Sequence, residues 1–133
     1  MRWIFVNLPV RDLDVAKDFY AALGFVNNPQ FTDHTAAAMV IEENICVMLL
    51  TEAKFRDFIT GEIADPSTTE VLNCLSAASR EEVDELLAKA LAAGGKPWQP
   101  TMDAGPMYGA SFADPDGHVW EVMHMDPSAI QQA

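Results

Sequence analysis

Three features of this sequence predict an α+β fold made of two similar halves. Each half has a strand-like apolar segment, then a helix with one apolar face, then further strand-like segments. A glycine follows each predicted helix, Gly24 in the first half and Gly94 in the second. A polar stretch from 61 to 69 separates the halves. We therefore expect the chain to be a single domain, with module 1 at about 1–62 and module 2 at about 68–126.

The first half is predicted to start with a strand from Trp3 to Pro9, because the segment is bulky and apolar and ends at a proline. Asp12 or Asp14 caps the helix that follows. The apolar residues of this helix recur at helical spacing, as Leu13, Ala16, Phe19, Tyr20 and Leu23. The rest of this half is predicted as an irregular segment at 25–31, strands at 36–41 and 45–50, and a short helix at 52–59.

The second half is predicted to repeat this order. A strand at 71–75 precedes a helix that begins with a capping box, in which Ser79 and Glu82 each satisfy an unpaired amide. Strands are predicted at 96–99, 107–113 and 118–125. The last two are joined by Asp114-Pro115-Asp116-Gly117, whose residue types are typical of a hairpin turn.

Charge and composition exclude several classes of partner. Eight Lys and Arg stand against twenty Asp and Glu, for a formal net charge of -12. Such a charge repels phosphate backbones and anionic bilayers, so we expect neither nucleic-acid nor membrane partners. No apolar run is long enough to span a bilayer, and no export signal is visible. Cys46 and Cys74 each lie in a strand-like run, as expected for buried reduced thiols in a cytoplasmic protein, and the sequence leaves a disulfide open as the alternative.

Three segments in order along the chain resemble one known family. The first is Phe5-Val6-Asn7-Leu8-Pro9-Val10-Arg11-Asp12-Leu13, running into Phe19-Tyr20 and Leu23-Gly24-Phe25. The second is Ala92-Ala93-Gly94-Gly95, and the third is Phe112-Ala113-Asp114-Pro115-Asp116-Gly117-His118-Val119-Trp120-Glu121. Together they resemble the vicinal oxygen chelate superfamily of glyoxalase I, bleomycin-resistance proteins and extradiol dioxygenases, and most of all its small bacterial glyoxalase-like branch. The resemblance implies two βαβββ modules with cup-shaped mixed sheets, and a homodimer.

The resemblance also implies a divalent metal, held by one ligand from the first strand, one or two from the middle strands and a glutamate on the last strand. Glu121 matches that glutamate. The other ligand positions fall at Phe5, at Met48 or Leu49, and at Leu72 or its neighbours. A catalytic metal site generally needs about three protein ligands, so the set is incomplete. We therefore predict no metal site and no cofactor, with a divalent metal held by an incomplete ligand set as the alternative.

Strand alternation decides which side chains can join Glu121. His118 and His124 are predicted on the opposite face of the last strand, while Met123 shares its face. His34 falls in a predicted loop. The three histidines are thus interpreted as surface residues or as residues satisfied within the fold.

An apolar cup with few polar groups is the predicted site, as small-molecule pockets generally require. Its predicted ligand-binding residues are Phe5, Asn7, Met48, Leu49, Tyr108 and Met123, and Glu121 is the predicted catalytic residue, acting as a general base or acid. The sequence leaves open whether Met48 or Leu49 faces the cup. For Tyr108, a half-buried aromatic at a strand start is an equal alternative.

Three functions remain open at this point. The first is a metal-independent small-molecule binder of the glyoxalase and bleomycin-resistance type. The second is a lactoylglutathione lyase-like or dioxygenase-like metalloenzyme that uses Glu121 together with Asn7 or His34. The third is a structural or interaction protein whose cup is filled by its own side chains.

Overall fold

The computed structural model describes residues 1–130 and divides them into two compact units. The first unit is Met1–Thr68 and the second begins at Thr69. The first unit contains β1 Ile4–Val10, α1 Leu13–Ala22, β2 Val26–Asn28, a 3-10 turn Pro29–Phe31, β3 Ala36–Glu42, β4 Ile45–Thr51 and α2 Glu52–Arg56. The second contains β5 Leu72–Ser76, α3 Arg80–Ala92, β6 Lys96–Pro97, β7 Met102–Ala104, β8 Met107–Ala113, β9 Val119–Met125 and α4 Pro127–Ile130.

Both units contain a mixed sheet, so the predicted α+β class is confirmed. The first sheet has the order β1-β4-β3-β2, in which β1 runs parallel to β4 and the other pairs are antiparallel. The second has the order β5-β9-β8-β6, with β7 also paired to β8 and with β5 parallel to β9. Each parallel pair follows from the helix that connects its unit's first strand to the rest of the sheet.

Each long helix covers one face of its own sheet. Helix α1 contacts β3 and β4, and its Phe19 and Tyr20 meet edge to face at 5.0 Å between ring centroids. Helix α3 contacts β8 and β9, and its Val83 is fully buried. The apolar core of each unit therefore lies between its long helix and one sheet face, and this helix does not cover the opposite sheet face.

The turn and cap signals act as the sequence predicts, with one difference. The carboxylate of Asp12, not of Asp14, accepts the amide of Val15 at 3.1 Å. In the capping box the hydroxyl of Ser79 accepts the amide of Glu82, and the Glu82 carboxylate accepts the amide of Ala78 instead of that of Ser79.

Two short strands were not predicted. The segment 25–31, predicted as irregular, contains β2, because the residue before a proline is biased towards extended backbone and Asn28 precedes Pro29. The Asn27 side chain also donates to the carbonyl oxygen of Ala38 at 3.2 Å and ties β2 to β3. In the second unit the predicted strand at 96–99 ends at Pro97, and β7 appears farther along the chain.

None of the helices in the described part of the chain has the length and apolar character needed to cross a membrane.

Candidate functional site

The first unit has a cavity of about 570 Å³ on the sheet face opposite α1. Parallel pairing of β1 with β4 places Phe5 beside Cys46 and Asn7 beside Met48, with all four side chains on this face. The residues that line the cavity are Trp3, Phe5, Asn7, Asn28, Phe31, Ala38, Val40, Cys46 and Met48.

Aromatic rings form one wall of this cavity. Trp3 and Phe5 are two residues apart on β1, and their rings lie 6.1 Å apart at 16° to each other. Phe5 is 54% exposed although it lies within the sheet, because no residue of its own unit covers it. Two nearly parallel rings side by side offer a flat apolar surface to a ligand.

The polar groups of this cavity are uncharged. The amide nitrogen of Asn7 donates to the carbonyl oxygen of Phe5 at 3.2 Å, and the side-chain oxygen of Asn28 accepts the amide of Gln30 at 3.0 Å. Within residues 1–130 this leaves the Asn7 oxygen as an acceptor and the Asn28 nitrogen as a donor without a side-chain or backbone partner. Burial raises the pKa of the Cys46 thiol, so this side chain stays neutral at pH 7.

Leu49 does not line this cavity. It is 0% exposed on the α1 side of β4, whereas Met48 faces the cavity, because successive side chains of a strand point to opposite faces. The register therefore gives Met48 as the cavity residue, and the prediction of ligand binding for Leu49 is corrected to a core position.

The second unit has a separate cavity of about 250 Å³ on the sheet face opposite α3. Its lining residues are Gln99, Pro100, Met102, Gly109, Ala110, Ser111, Glu121 and Met123. Glu121 lies between Cys74 of β5 and Ser111 of β8 in the strand register. Partial desolvation, and then the negative charge of Glu121, raise the pKa of the Cys74 thiol, which is therefore neutral and a poor nucleophile at pH 7.

Tyr108 lies outside both lining sets. Its register partner is His124, and its hydroxyl donates to the carboxylate of Asp84 on α3 at 2.6 Å. Strand alternation turns it towards the helix, while its neighbour Gly109 lines the second cavity. The position therefore does not support the prediction of ligand binding for Tyr108.

The histidines take structural roles or face solvent. Nδ1 of His118 lies 2.7 Å from a carboxylate oxygen of Glu70, and Nδ1 of His124 lies 2.9 Å from the carbonyl oxygen of Ala77. His34 is exposed in the turn before β3. Across the described residues, no group of three or more His, Cys, Asp or Glu could hold a metal ion.

The positions that correspond to metal ligands in the resembling family do not fit a divalent metal. Phe5 and Leu72 have hydrocarbon side chains, and Met48 offers a soft thioether in place of a nitrogen or oxygen. Among the neighbours of Leu72, Cys74 is the register partner of Glu121, and its raised pKa keeps the thiol neutral. Glu121 is the one oxygen ligand among the four positions, and one carboxylate is too few for a catalytic site.

Sequence reasoning missed several lining residues. Asn28 and Phe31 of the first cavity were missed because strand β2 was not predicted. Met102 of the second cavity was missed because strand β7 was not predicted. Pairing of the two strands predicted at 36–41 and 45–50 was a usable signal, since it brings Ala38 and Val40 to the face of Met48.

Comparison with known proteins agrees with this architecture. The profile of the Glyoxalase/Bleomycin resistance protein/Dioxygenase superfamily matches residues 3–122, nearly the whole chain. The chain belongs to this superfamily. No curated protein matches it.

Solved structures of the superfamily fold superpose over nearly the full length. A hypothetical protein, SA1046 from S. aureus, is 30% identical with a TM-score of 0.79, over 93% of this chain and 94% of that one. TioX from Micromonospora sp. ML1 is 22% identical with a TM-score of 0.68, over 94% and 99%. A lactoylglutathione lyase from Agrobacterium tumefaciens is 19% identical with a TM-score of 0.67, over 91% of each chain. The last two likenesses concern the fold alone.

Proposed function

We propose that this chain is a metal-independent small-molecule-binding member of the superfamily, and that its ligand occupies the cavity of the first unit. The observation that carries the proposal is an open aromatic cavity at the positions where a metalloenzyme would need ligands, lined by Phe5 and Met48. Its volume of about 570 Å³ lies within the range of about 300–1,000 Å³ common for small-molecule sites.

The chemistry of the lining defines the ligand class. The walls are aromatic and aliphatic, no charged side chain lines them, and one amide oxygen and one amide nitrogen remain free, on Asn7 and Asn28. A neutral ligand fits best, because an ion would lose its hydration without gaining a counter-charge. We expect an apolar, ring-containing molecule with a polar substituent that hydrogen-bonds to one of these amides.

The same residues weigh against a lactoylglutathione lyase-like or dioxygenase-like activity. Both chemistries, as the resemblance implies them, require a divalent metal that orients two substrate oxygens. Glu121 alone among the corresponding positions offers an oxygen ligand. The name of the Agrobacterium relative is therefore not carried over to this chain.

Fluorescence titration with N-phenyl-1-naphthylamine, a neutral apolar probe, tests the proposal in buffer containing a chelator. Phe5→Ala removes half of the ring pair, so we expect the affinity to fall about tenfold, the equivalent of roughly 1.4 kcal/mol. Phe58→Ala is the matched control, because Phe58 is also exposed in the first unit, 68%, but lies outside the cavity. The affinity of this variant should equal that of the native protein.

Two results would contradict the proposal. One is binding that appears only after a divalent metal is added. The other is an equal loss of affinity in Phe5→Ala and Phe58→Ala, which would mean that the probe adsorbs to exposed aromatic residues in general.

A further inference from the structure

The cavity of the second unit contains a carboxylate with no hydrogen-bond or ion-pair partner among residues 1–130. Glu121 is half-buried in this cavity, and within the described residues its carboxylate makes no hydrogen bond and no ion pair. A carboxylate accepts several hydrogen bonds, and partly buried acceptors are generally paired. The acceptor capacity of Glu121 is thus available to a bound molecule.

The neighbours of Glu121 cannot use that capacity. The hydroxyl of Ser111 is engaged by the backbone of Gln99, accepting its amide at 2.9 Å and donating to its carbonyl oxygen at 3.4 Å. Cys74, the partner of Glu121 on β5, directs its thiol to the carbonyl oxygen of Leu75 at 3.9 Å. No lysine, arginine or histidine is among the lining residues, all of which belong to the described part of the chain.

Apolar thioethers stand next to this carboxylate. Met102, Gly109 and Met123 are register partners on three adjacent strands, and the missing side chain of Gly109 leaves space that the Met123 side chain occupies. A Cβ at Gly109 would lie 2.8 Å from the sulfur of Met123, which shows that the thioether lies over the glycine. The cavity therefore has an anionic end and flexible apolar walls.

We propose that this second cavity binds the ammonium group of a small alkylamine, with Glu121 accepting its hydrogen bonds and Met102 and Met123 contacting its carbon chain. Primary amines are protonated at neutral pH, as the ordinary pKa of about 10.4 for a lysine side chain illustrates. The net charge of -12 attracts such cations to the protein from solution. This proposal rests on residues of the second unit alone and requires no metal.

Titration with n-butylammonium chloride tests the site, with 1-butanol as the neutral probe of similar size. The readout is the ¹³C-methyl NMR signals of the methionines, with those of Met102 and Met123 assigned through their leucine variants. We expect n-butylammonium to shift both signals and 1-butanol to shift them less. Glu121→Gln keeps the shape of the side chain and removes its charge, so the affinity for the ammonium should fall about tenfold while that for the alcohol stays the same.

Glu85→Gln is the matched control, because Glu85 is an exposed residue of α3 outside the cavity and its loss changes the net charge equally. This variant should bind n-butylammonium as the native protein does. An equal loss of n-butylammonium affinity in both variants would overturn the proposal, because it would show that the net charge of the protein, and not the position of Glu121, determines binding. Shifts at Met48 in place of Met102 and Met123 would also overturn it and would place the amine in the first cavity, whose own test with the neutral probe is separate.

Discussion

Met48 and Leu49 are adjacent in sequence but face opposite sides of the first sheet, and they have different physical roles. Met48 lines the cavity and pairs with Asn7, whereas Leu49 is fully buried on the side covered by α1. Truncation of a buried leucine leaves a void that the fold fills only in part, whereas a cavity residue loses few contacts of its own.

We expect Leu49→Ala to lower the free energy of unfolding by about 2–5 kcal/mol and Met48→Ala to lower it clearly less. Probe binding should change the other way, with the greater loss in Met48→Ala at denaturant concentrations where both variants are folded. Urea unfolding and N-phenyl-1-naphthylamine titration of both variants measure the two quantities. A greater stability loss in Met48→Ala would show that the register of β4 is wrong.

Gly109 is a second residue whose identity depends on its surroundings, because the Met123 side chain lies close to its Cα. An added Cβ would lie 2.8 Å from the sulfur and 3.0 Å from the methyl carbon of Met123, and 3.3 Å from the carbonyl oxygen of Val122. The thioether of Met123 can move, whereas the backbone carbonyl of Val122 is held in the sheet. A methyl group at Gly109 therefore pushes the Met123 side chain towards the cavity.

Gly109→Ala should therefore lower the free energy of unfolding by about 1–3 kcal/mol. In a Met123→Ala background the penalty should shrink, with a coupling of about 0.5–3 kcal/mol between the two sites. Urea unfolding of the two single variants and the double variant measures it. Strict additivity would mean that the two residues do not touch.

At the scale of elements, Arg80 and Tyr108 connect the edge of the second sheet to its helix. Arg80 of α3 donates to both carboxylate oxygens of Asp103 on β7, at 2.9 and 3.0 Å, and to the carbonyl oxygen of Gly105 at 2.9 Å. Its guanidinium also lies 4.8 Å from the ring centroid of Tyr108. These contacts hold β7, and with it Met102, at the rim of the second cavity.

The tyrosine of this network provides a pH test. The hydrogen bond to Asp84, more than desolvation or nearby charges, raises the pKa of Tyr108 above its ordinary value of about 10. A raised pKa in the folded state means that the contribution to stability is complete below the unfolded pKa and is lost as pH rises through the folded one.

Absorbance at 295 nm against pH should show a tyrosine that titrates above its ordinary value and that disappears in Tyr108→Phe. Asp84→Ala should move this titration down towards the ordinary value, because the acceptor of the phenolic proton is gone. An unchanged titration in Asp84→Ala would mean that Tyr108 does not bond to the helix and would reopen its assignment to a ligand site.

The longer elements were predictable from sequence because their signals are local. The caps at Asp12 and Ser79 and the turn after Asp114 depend on side chains that bond to nearby amides, and they fixed the ends of helices and strands. The strands β2 and β7 have three residues each and show no period of their own. Pairing with β3 and β8 stabilises them, and a pattern within one segment cannot show that pairing.

The candidate site was less predictable, because it depends on register. Alternation placed Trp3, Phe5 and Asn7 on one face and Met123 beside Glu121, as in the structure. Only the pairing of β4 with β1 shows that Met48, and not Leu49, faces the cavity. Only the hydrogen bond to Asp84 of α3 shows that Tyr108 points away from the second cavity.

At the scale of the whole molecule, a superfamily fold is combined with residues that do not form its metal centre. The match over residues 3–122 shows the family. The metal-ligand positions that the resemblance implies fall at Phe5, at Met48 or Leu49, and at Leu72 or its neighbours, so they include no histidine. Fold alone does not determine function, so these residues support the proposal that the protein binds small molecules without a metal. A homodimer and a cytoplasmic location stay predictions.

Metal content is the measurement that tests this central claim most directly. Untagged protein, purified natively and then incubated with zinc, nickel, manganese or iron and desalted, is analysed by elemental mass spectrometry. We predict no stoichiometric metal, because a single carboxylate does not retain a divalent ion through desalting. About one ion per chain, lost in Glu121→Ala, would contradict the account and restore a metalloenzyme as the explanation of the site.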